Sequence, residues 1–244
     1  MLPDDTASDA PLLMPAMLRD LLPQQAQARV RESGRNRAVR KGSVLVEAGR
    51  VADSAIFFHA GWYALAIADV VVEFYGPGDA FLPPLDRAPA RSPGRLKALT
   101  RGAVAIVPTA VLRDVLATEP LVSLGIANLA LSMVMRSRVM YARMNRDPLE
   151  IRLAYVLWSL SEPWPDGRRR VVAQLPQAEI ASFLGVPREE VSRKRRMLVR
   201  SGYLVEEDGE TWMDPSTPML LTSSGYELAS GHSSEGLLQP RRAP

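Results

Sequence analysis

Between Gln177 and Gly202 the chain reads QAEIASFLGVPREEVSRKRRMLVRSG, and the second half of this stretch concentrates side chains suited to reading nucleic acid. Arg188, Glu189, Ser192, Arg193 and Arg196 fall at separations of three, four and eight residues, which on a helix brings them to one outward side. Arg pairs bidentately with the acceptor edge of guanine, Glu accepts from the cytosine amino group, and Ser reaches either a base or a phosphate. Arg188, Glu189, Ser192 and Arg193 are therefore the base-contact candidates. Lys194, Arg195, Arg196 and Arg200, together with Arg168, Arg169 and Arg170 upstream, are candidates for phosphates, which supply most of the affinity and its salt dependence. Gln177, at the head of the stretch, is a further DNA-contact candidate.

A reader of this kind needs a rigid mount, and the same stretch supplies one. Ile180, Phe183 and Leu184 give a first helix its apolar face, Ala181 permits a close helix crossing, and Gly185 allows a tight turn. Val186, Val191 and Leu198 then bury a second helix, leaving the charged row outside. The alternative, a solvated basic helix, does not account for the Ala-Ser-Phe-Leu-Gly-Val turn that precedes it. A basic strand from Arg168 to Leu175 and two short strands around Asp208-Gly209 flank the helices.

Upstream the pattern changes. From Arg40 to Val107 short apolar runs (44–46, 55–58, 63–67, 70–74 and 103–107) alternate with turn residues at Gly42, Gly49, Gly61, Gly76-Pro77-Gly78-Asp79 and Ser92-Pro93-Gly94, the spacing of an antiparallel roll or barrel. A short amphipathic helix over 17–31 precedes it. Pro120 to Asn145 contains no Gly or Pro after its first residue except Gly125, which predicts one long helix. On it Leu121, Leu124, Asn128, Leu131 and Met135 alternate spacings of three and four, a short coiled-coil seam with one polar position. The run is apolar on more than one face, so the helix is expected both to dimerise and to pack on its own domain. Asp147-Pro148 breaks the chain and places a hinge at 145–148. The organisation expected is an α+β chain: leader 1–15, β-roll sensor domain 16–118, dimerisation helix 119–146, winged helix-turn-helix 147–222 and tail 223–244.

Composition narrows the function. The chain of 244 residues carries a formal charge of +3 and has no Cys, which removes disulfides, thiolate metal sites, cysteine-ligated iron–sulfur clusters and Cys nucleophiles. Its two His, His59 and His232, stand far apart, so no metal site is expected, and no cofactor. Neither a Gly-x-Ser-x-Gly elbow, a phosphate loop nor a His-Glu-x-x-His motif occurs, and an enzyme is not expected. The N-terminus MLPDDTASDAP lacks the basic and apolar character of a signal peptide, and the apolar stretch 121–135 is short for a bilayer and interrupted by Ser123, Asn128 and Ser132, so the expectation is a cytoplasmic protein without membrane contact.

Glu179 to Arg193 (EIASFLGVPREEVSR), continued by Gly202-Tyr203-Leu204, resembles the winged-helix signature of the Crp/Fnr transcription regulators. Lys41-Gly42-Ser43-Val44-Leu45, Glu47-Ala48-Gly49, Phe57 to Gly61 and Tyr75 to Phe81 are similar to the cyclic-nucleotide-binding β-roll of the same family, so the resemblance spans about residues 15 to 215. It implies a homodimer that binds a palindromic site in double-stranded DNA and recruits or blocks RNA polymerase. The positions matched by Arg188, Glu189 and Arg193 are the family's base contacts, and Glu189-x-x-Ser192-Arg193 resembles the Fnr-like variant, which implies TTGA-like half-sites.

The resemblance breaks where nucleotide-binding members carry Gly-Glu for the ribose and Arg-Ser for the cyclic phosphate. Leu82-Pro83-Pro84 stands at the first position; Arg91-Ser92 survives but runs into Pro93-Gly94. Arg91, Ser92 and Phe81 are the candidates for an altered effector pocket unsuited to cAMP in the usual manner. Two readings of control stay open: an unrecognised small ligand, or none, with control by abundance. An alternative role, a sensing module acting on a protein partner, is opposed by the charged face of 188–200.

Overall fold

A computed structural model describes residues 20–85, 90–171, 175–215 and 217. The expected leader 1–15 and tail 223–244 lie outside the described residues, as do the first three residues of the expected helix 17–31. The chain divides into two compact units between Met133 and Val134.

The first unit holds α1 (Gln24–Ser33), eight strands, β1 (Arg35–Val39), β2 (Val44–Val46), β3 (Ser54–Ala60), β4 (Tyr63–Ile67), β5 (Val70–Tyr75), β6 (Ala80–Phe81), β7 (Arg95–Ala98) and β8 (Gly102–Pro108), then α2 (Thr109–Thr118) and the start of α3 (Pro120–Arg146). The strands make two antiparallel four-stranded sheets, ordered β1-β8-β3-β6 and β2-β7-β4-β5. The run Ala55 to Phe58 is continuously apolar because its sheet is covered on both faces. Ile56 and Phe58 pack between strands of both sheets with Tyr63, Tyr75, Phe81 and Leu96. Ala55 and Phe57 face the helices, against Ala26, Val30, Leu112, Val115, Val122 and Ile126. Each buried Phe contributes about 1.5–3 kcal/mol by leaving water. The turn at Gly61 (φ 86°) brings β3 and β8 so close that a Cβ on Gly102 would strike the Ala60 carbonyl. Three strands of this unit, β1, β6 and β7, were not expected; RNRAV and RLKA carry charge on the outer face of their sheets and lack the apolar runs that marked the others, and β6 is only two residues long.

On α3, Val122 and Ile126 enter the core while Leu121, Leu124 and Leu131 stay 65%, 57% and 57% exposed. Asn128 is exposed too, and Met135 is half-buried. The helix runs 27 residues, and by length and composition it is long and apolar enough to cross a bilayer, more than the stretch 121–135 indicated. Its second half, however, carries Arg136, Arg138, Arg143 and Arg146.

The second unit continues with α4 (Leu149–Ser159), β9 (Ser161–Pro163), β10 (Arg169–Val171), α5 (Gln177–Leu184), α6 (Arg188–Arg200), β11 (Leu204–Glu207) and β12 (Glu210–Met213). The strands form an antiparallel sheet in the order β11-β12-β10-β9, and Asp208 and Gly209, both at positive φ, close the β11–β12 hairpin. Ahead of α4, the buried Arg143 donates to Asp147 at 2.9 Å and lies over the Tyr155 ring, its carbon 4.4 Å from the centroid. Burial of the Tyr155 phenol raises its pKa above the ordinary value.

Candidate nucleic-acid interface

Gly185 takes the left-handed conformation (φ 66°, ψ 34°) at the end of α5, and its N–H donates to the Ala181 and Ser182 carbonyls. Pro187 then fixes the entry to α6, whose first turn carries Glu189 and Glu190 at the positive end of the helix dipole. Ile180, Ala181 and Leu184 of α5 and Val191 and Leu198 of α6 are buried together, with Phe183 and Val186 only half-buried. The pairing of these faces turns the opposite side of α6 outward.

Arg188, Glu189, Arg193, Arg196 and Arg200 are exposed along that outward side. Arg188, Arg196 and Arg200 form no ion pair among the described residues, so their charge is available to an external anion. The Ser192 hydroxyl donates to Gln177 Oε1 at 2.9 Å, joining the two helices of the motif. Gln177, Ser192, Arg196, Arg200 and, from β11, Glu206 line one open concavity of about 570 Å³. The Arg193 guanidinium donates to both carboxylate oxygens of Glu190, at 2.8 and 2.6 Å.

Two of the expected phosphate contacts are turned inward instead. Lys194 donates to Glu150 of α4 at 2.7 Å with its side chain 18% exposed, which ties the second helix of the motif to α4. Arg169 is buried: it donates to the Ser161 hydroxyl at 2.8 Å and to the Ser161 carbonyl at 2.7 Å, and stacks over Trp158. Desolvation lowers its pKa below the ordinary guanidinium value. Period-two alternation along the RRR run is the signal that would have separated it from its neighbours, since on a strand Arg168 and Arg170 share the face that Arg169 leaves. Those two are held at the surface, Arg168 by Asp166 (2.8 Å) and Glu207 (3.1 Å) and Arg170 by Glu162 (3.2 Å) and Glu210 (3.5 Å). Arg195 likewise pairs with Glu206 at 3.0 Å. None of these acidic partners was foreseen from the sequence, Glu150, Glu190 and Glu206 being those that engage α6. Glu190 at i−3 was open to a helical-spacing argument; Glu150, 44 residues from Lys194, was not.

The Lys194 bond holds the Glu150 carboxyl below its ordinary pKa. A lowered carboxyl stabilises the fold above its unfolded value, and that contribution is lost as pH falls through the folded value. Lys194→Met is therefore expected to cost up to about 1 kcal/mol at neutral pH, as befits a half-exposed pair. Urea denaturation of both forms should show the gap closing in acid; a gap that is the same in acid would mean that packing of the Lys194 stem, and not the ion pair, carries the effect.

The effector-pocket candidates do not converge. Arg91 is exposed and donates to the Gly49 carbonyl at 2.7 Å; Ser92 is buried with its hydroxyl on the Gly94 carbonyl at 2.7 Å; and Phe81 belongs to the core between the sheets. All three thus have a structural occupation within the roll.

Residues 151–214 match the Crp-like helix-turn-helix domain. No curated protein matches the chain by sequence. Among solved structures it is similar to FixK2 from Bradyrhizobium japonicum (TM-score 0.66, 16% identity, covering 81% of this chain and 99% of that one). It is similar also to a CooA mutant from Carboxydothermus hydrogenoformans (0.64, 15%, 89% and 96%) and to the c-di-GMP-responsive global regulator CLP from Xanthomonas campestris (0.59, 16%, 78% and 99%). At these identities the likeness is one of fold.

Proposed function

We propose that this chain, with a Crp-like helix-turn-helix domain over 151–214 and a fold similar to that of solved Crp/Fnr regulators, is a cytoplasmic, sequence-specific transcription regulator acting as a homodimer on a palindromic promoter site. The observation that carries the reading is the outward row of α6, where Arg188, Arg196 and Arg200 stand exposed without a counter-charge among the described residues, beside Glu189 and Arg193. Uncompensated cations on the second helix of such a motif are suited to a polyanion.

In this reading Arg188, Glu189, Ser192 and Arg193 read base edges and Arg196, Arg200 and Gln177 hold the phosphates that flank them. Two protomers joined through the Leu121, Leu124, Asn128, Leu131 and Met135 face of α3 present two such helices about one DNA turn apart, and the bound dimer recruits or blocks RNA polymerase. Cyclic AMP is not held in the family's usual way: Leu82-Pro83-Pro84 offers no carboxylate, and the Arg91 guanidinium is already engaged by a backbone carbonyl.

The test is titration of the purified protein against a TTGA-containing palindrome and a scrambled duplex at two salt concentrations, with and without cAMP. The palindrome should bind selectively and with a steep salt dependence, and cAMP should leave the affinity unchanged. Arg193→Ala should cost about 1–3 kcal/mol per half-site on the palindrome and much less on the scrambled duplex. Equal affinity for both duplexes, insensitive to salt, would hand the module to a protein partner.

A further inference from the structure

The acidic residues of the second unit have a division of labour. Glu150 engages Lys194, Glu206 engages Arg195, Glu207 engages Arg168, and Glu162 and Glu210 engage Arg170, none of them on the outward row of α6. Glu190 differs: its carboxylate takes both hydrogen bonds from Arg193, the one cation of that row held by an internal ion pair among the described residues. On the helix Glu190 lies toward the flank shared with Lys194, so the pairing draws Arg193 away from the line of Glu189 and Arg196. The pair is also exposed, the two side chains 60% and 37% accessible, so it adds little to stability.

We propose that Glu190 sets the affinity for the matched site: its carboxylate sequesters Arg193 in the free protein and yields it only to a DNA site presenting two matched acceptors. The inference rests on the DNA-binding reading above. A carboxylate occupies both prongs of the guanidinium, so the exchange is favourable when the replacement is equally bidentate, as the O6 and N7 edge of guanine is. A duplex without a guanine in register offers no such replacement, and Arg193 stays on Glu190. The cost of breaking the pair falls on the matched sequence, so Glu190 holds affinity down there, while a wrong sequence draws no contact from Arg193.

Glu190→Gln keeps the size of the side chain and removes its charge. In the palindrome titration it should raise the dimer's affinity about 2- to 30-fold, the worth of one exposed ion pair released in each protomer. On the scrambled duplex the gain should be smaller, and in an Arg193→Ala background most of it should disappear. Wild-type protein that fails to select the palindrome overturns the DNA-binding reading and this inference with it. Wild-type protein that selects it, with Glu190→Gln giving the same gain whether or not Arg193 is present, leaves the reading standing and reduces Glu190 to bulk repulsion of the DNA. A loss of affinity in Glu190→Gln would make the carboxylate a support for Arg193 and overturn the inference alone.

Discussion

Leu131→Glu is expected to turn the protein into a monomer by sedimentation velocity and to lower its affinity for the palindrome by about 100- to 10,000-fold, the gain that joining two binding modules provides. The expectation rests on an imbalance along α3. Leu121, Leu124 and Leu131 leave more than half of each side chain in water in the isolated protomer, while Val122 and Ile126 of the same helix are buried. Three leucines at coiled-coil spacing on one helix are not the scattered apolar exposure of an ordinary surface. A carboxylate at position 131 would meet its copy across a two-fold seam, and desolvating both would cost more than the leucines returned. The protomer's own core does not include Leu131, so the far-ultraviolet circular dichroism spectrum should be unchanged. A variant that stays dimeric would move the interface off this face.

Asp147→Ala should destabilise the protein by about 3–5 kcal/mol in urea denaturation, because it removes the carboxylate that compensates the Arg143 guanidinium in a site with 1% exposure. The pair sits where α3 ends and Pro148 starts α4, so the loss should appear as a weakened second unit, seen as earlier proteolysis at the 145–148 junction. Removing both charges, as Arg143→Met with Asp147→Ala, should recover much of the stability, since a buried ion pair adds little beyond what apolar residues of similar volume supply. A cost under about 1 kcal/mol for Asp147→Ala would show that water reaches the guanidinium once its partner is gone.

The reader was legible because its determinants are local. Gly185 at a positive φ, apolar residues at helical spacing on either side and Pro187 at the helix entry lie within ten residues of one another, and local chemistry of that kind survives folding unaltered. The roll was legible in its apolar strands; β1, β6 and β7 were missed because β1 buries only Val39, β6 is two residues long, and β7 alternates charged with buried residues too briefly to register. Ion pairing was the least legible layer. Lys194 has the same side-chain chemistry as its neighbours, and only the position of Glu150 in space decides that it serves the fold, whereas strand alternation alone could have set Arg169 apart. The seven basic residues between Arg168 and Arg200 first considered for phosphates shrink accordingly to Arg196 and Arg200 as cations without an ion-pair partner among the described residues.

The four tryptophans are distributed unevenly, with Trp62 in the first unit and Trp158, Trp164 and Trp212 in the second. Trp62 is buried beside Gly76, whereas Trp158, Trp164 and Trp212 each lie beneath a guanidinium, from Arg169, Arg170 and Arg168, at 4.7, 4.9 and 4.5 Å. Trp164 and Trp212 also meet edge to face at 5.4 Å. The molecule thus carries its own optical labels: with the other three indoles replaced by Phe, emission from Trp62 follows the first unit alone, and emission from Trp212 follows the β11–β12 hairpin and the Arg168 guanidinium that covers it.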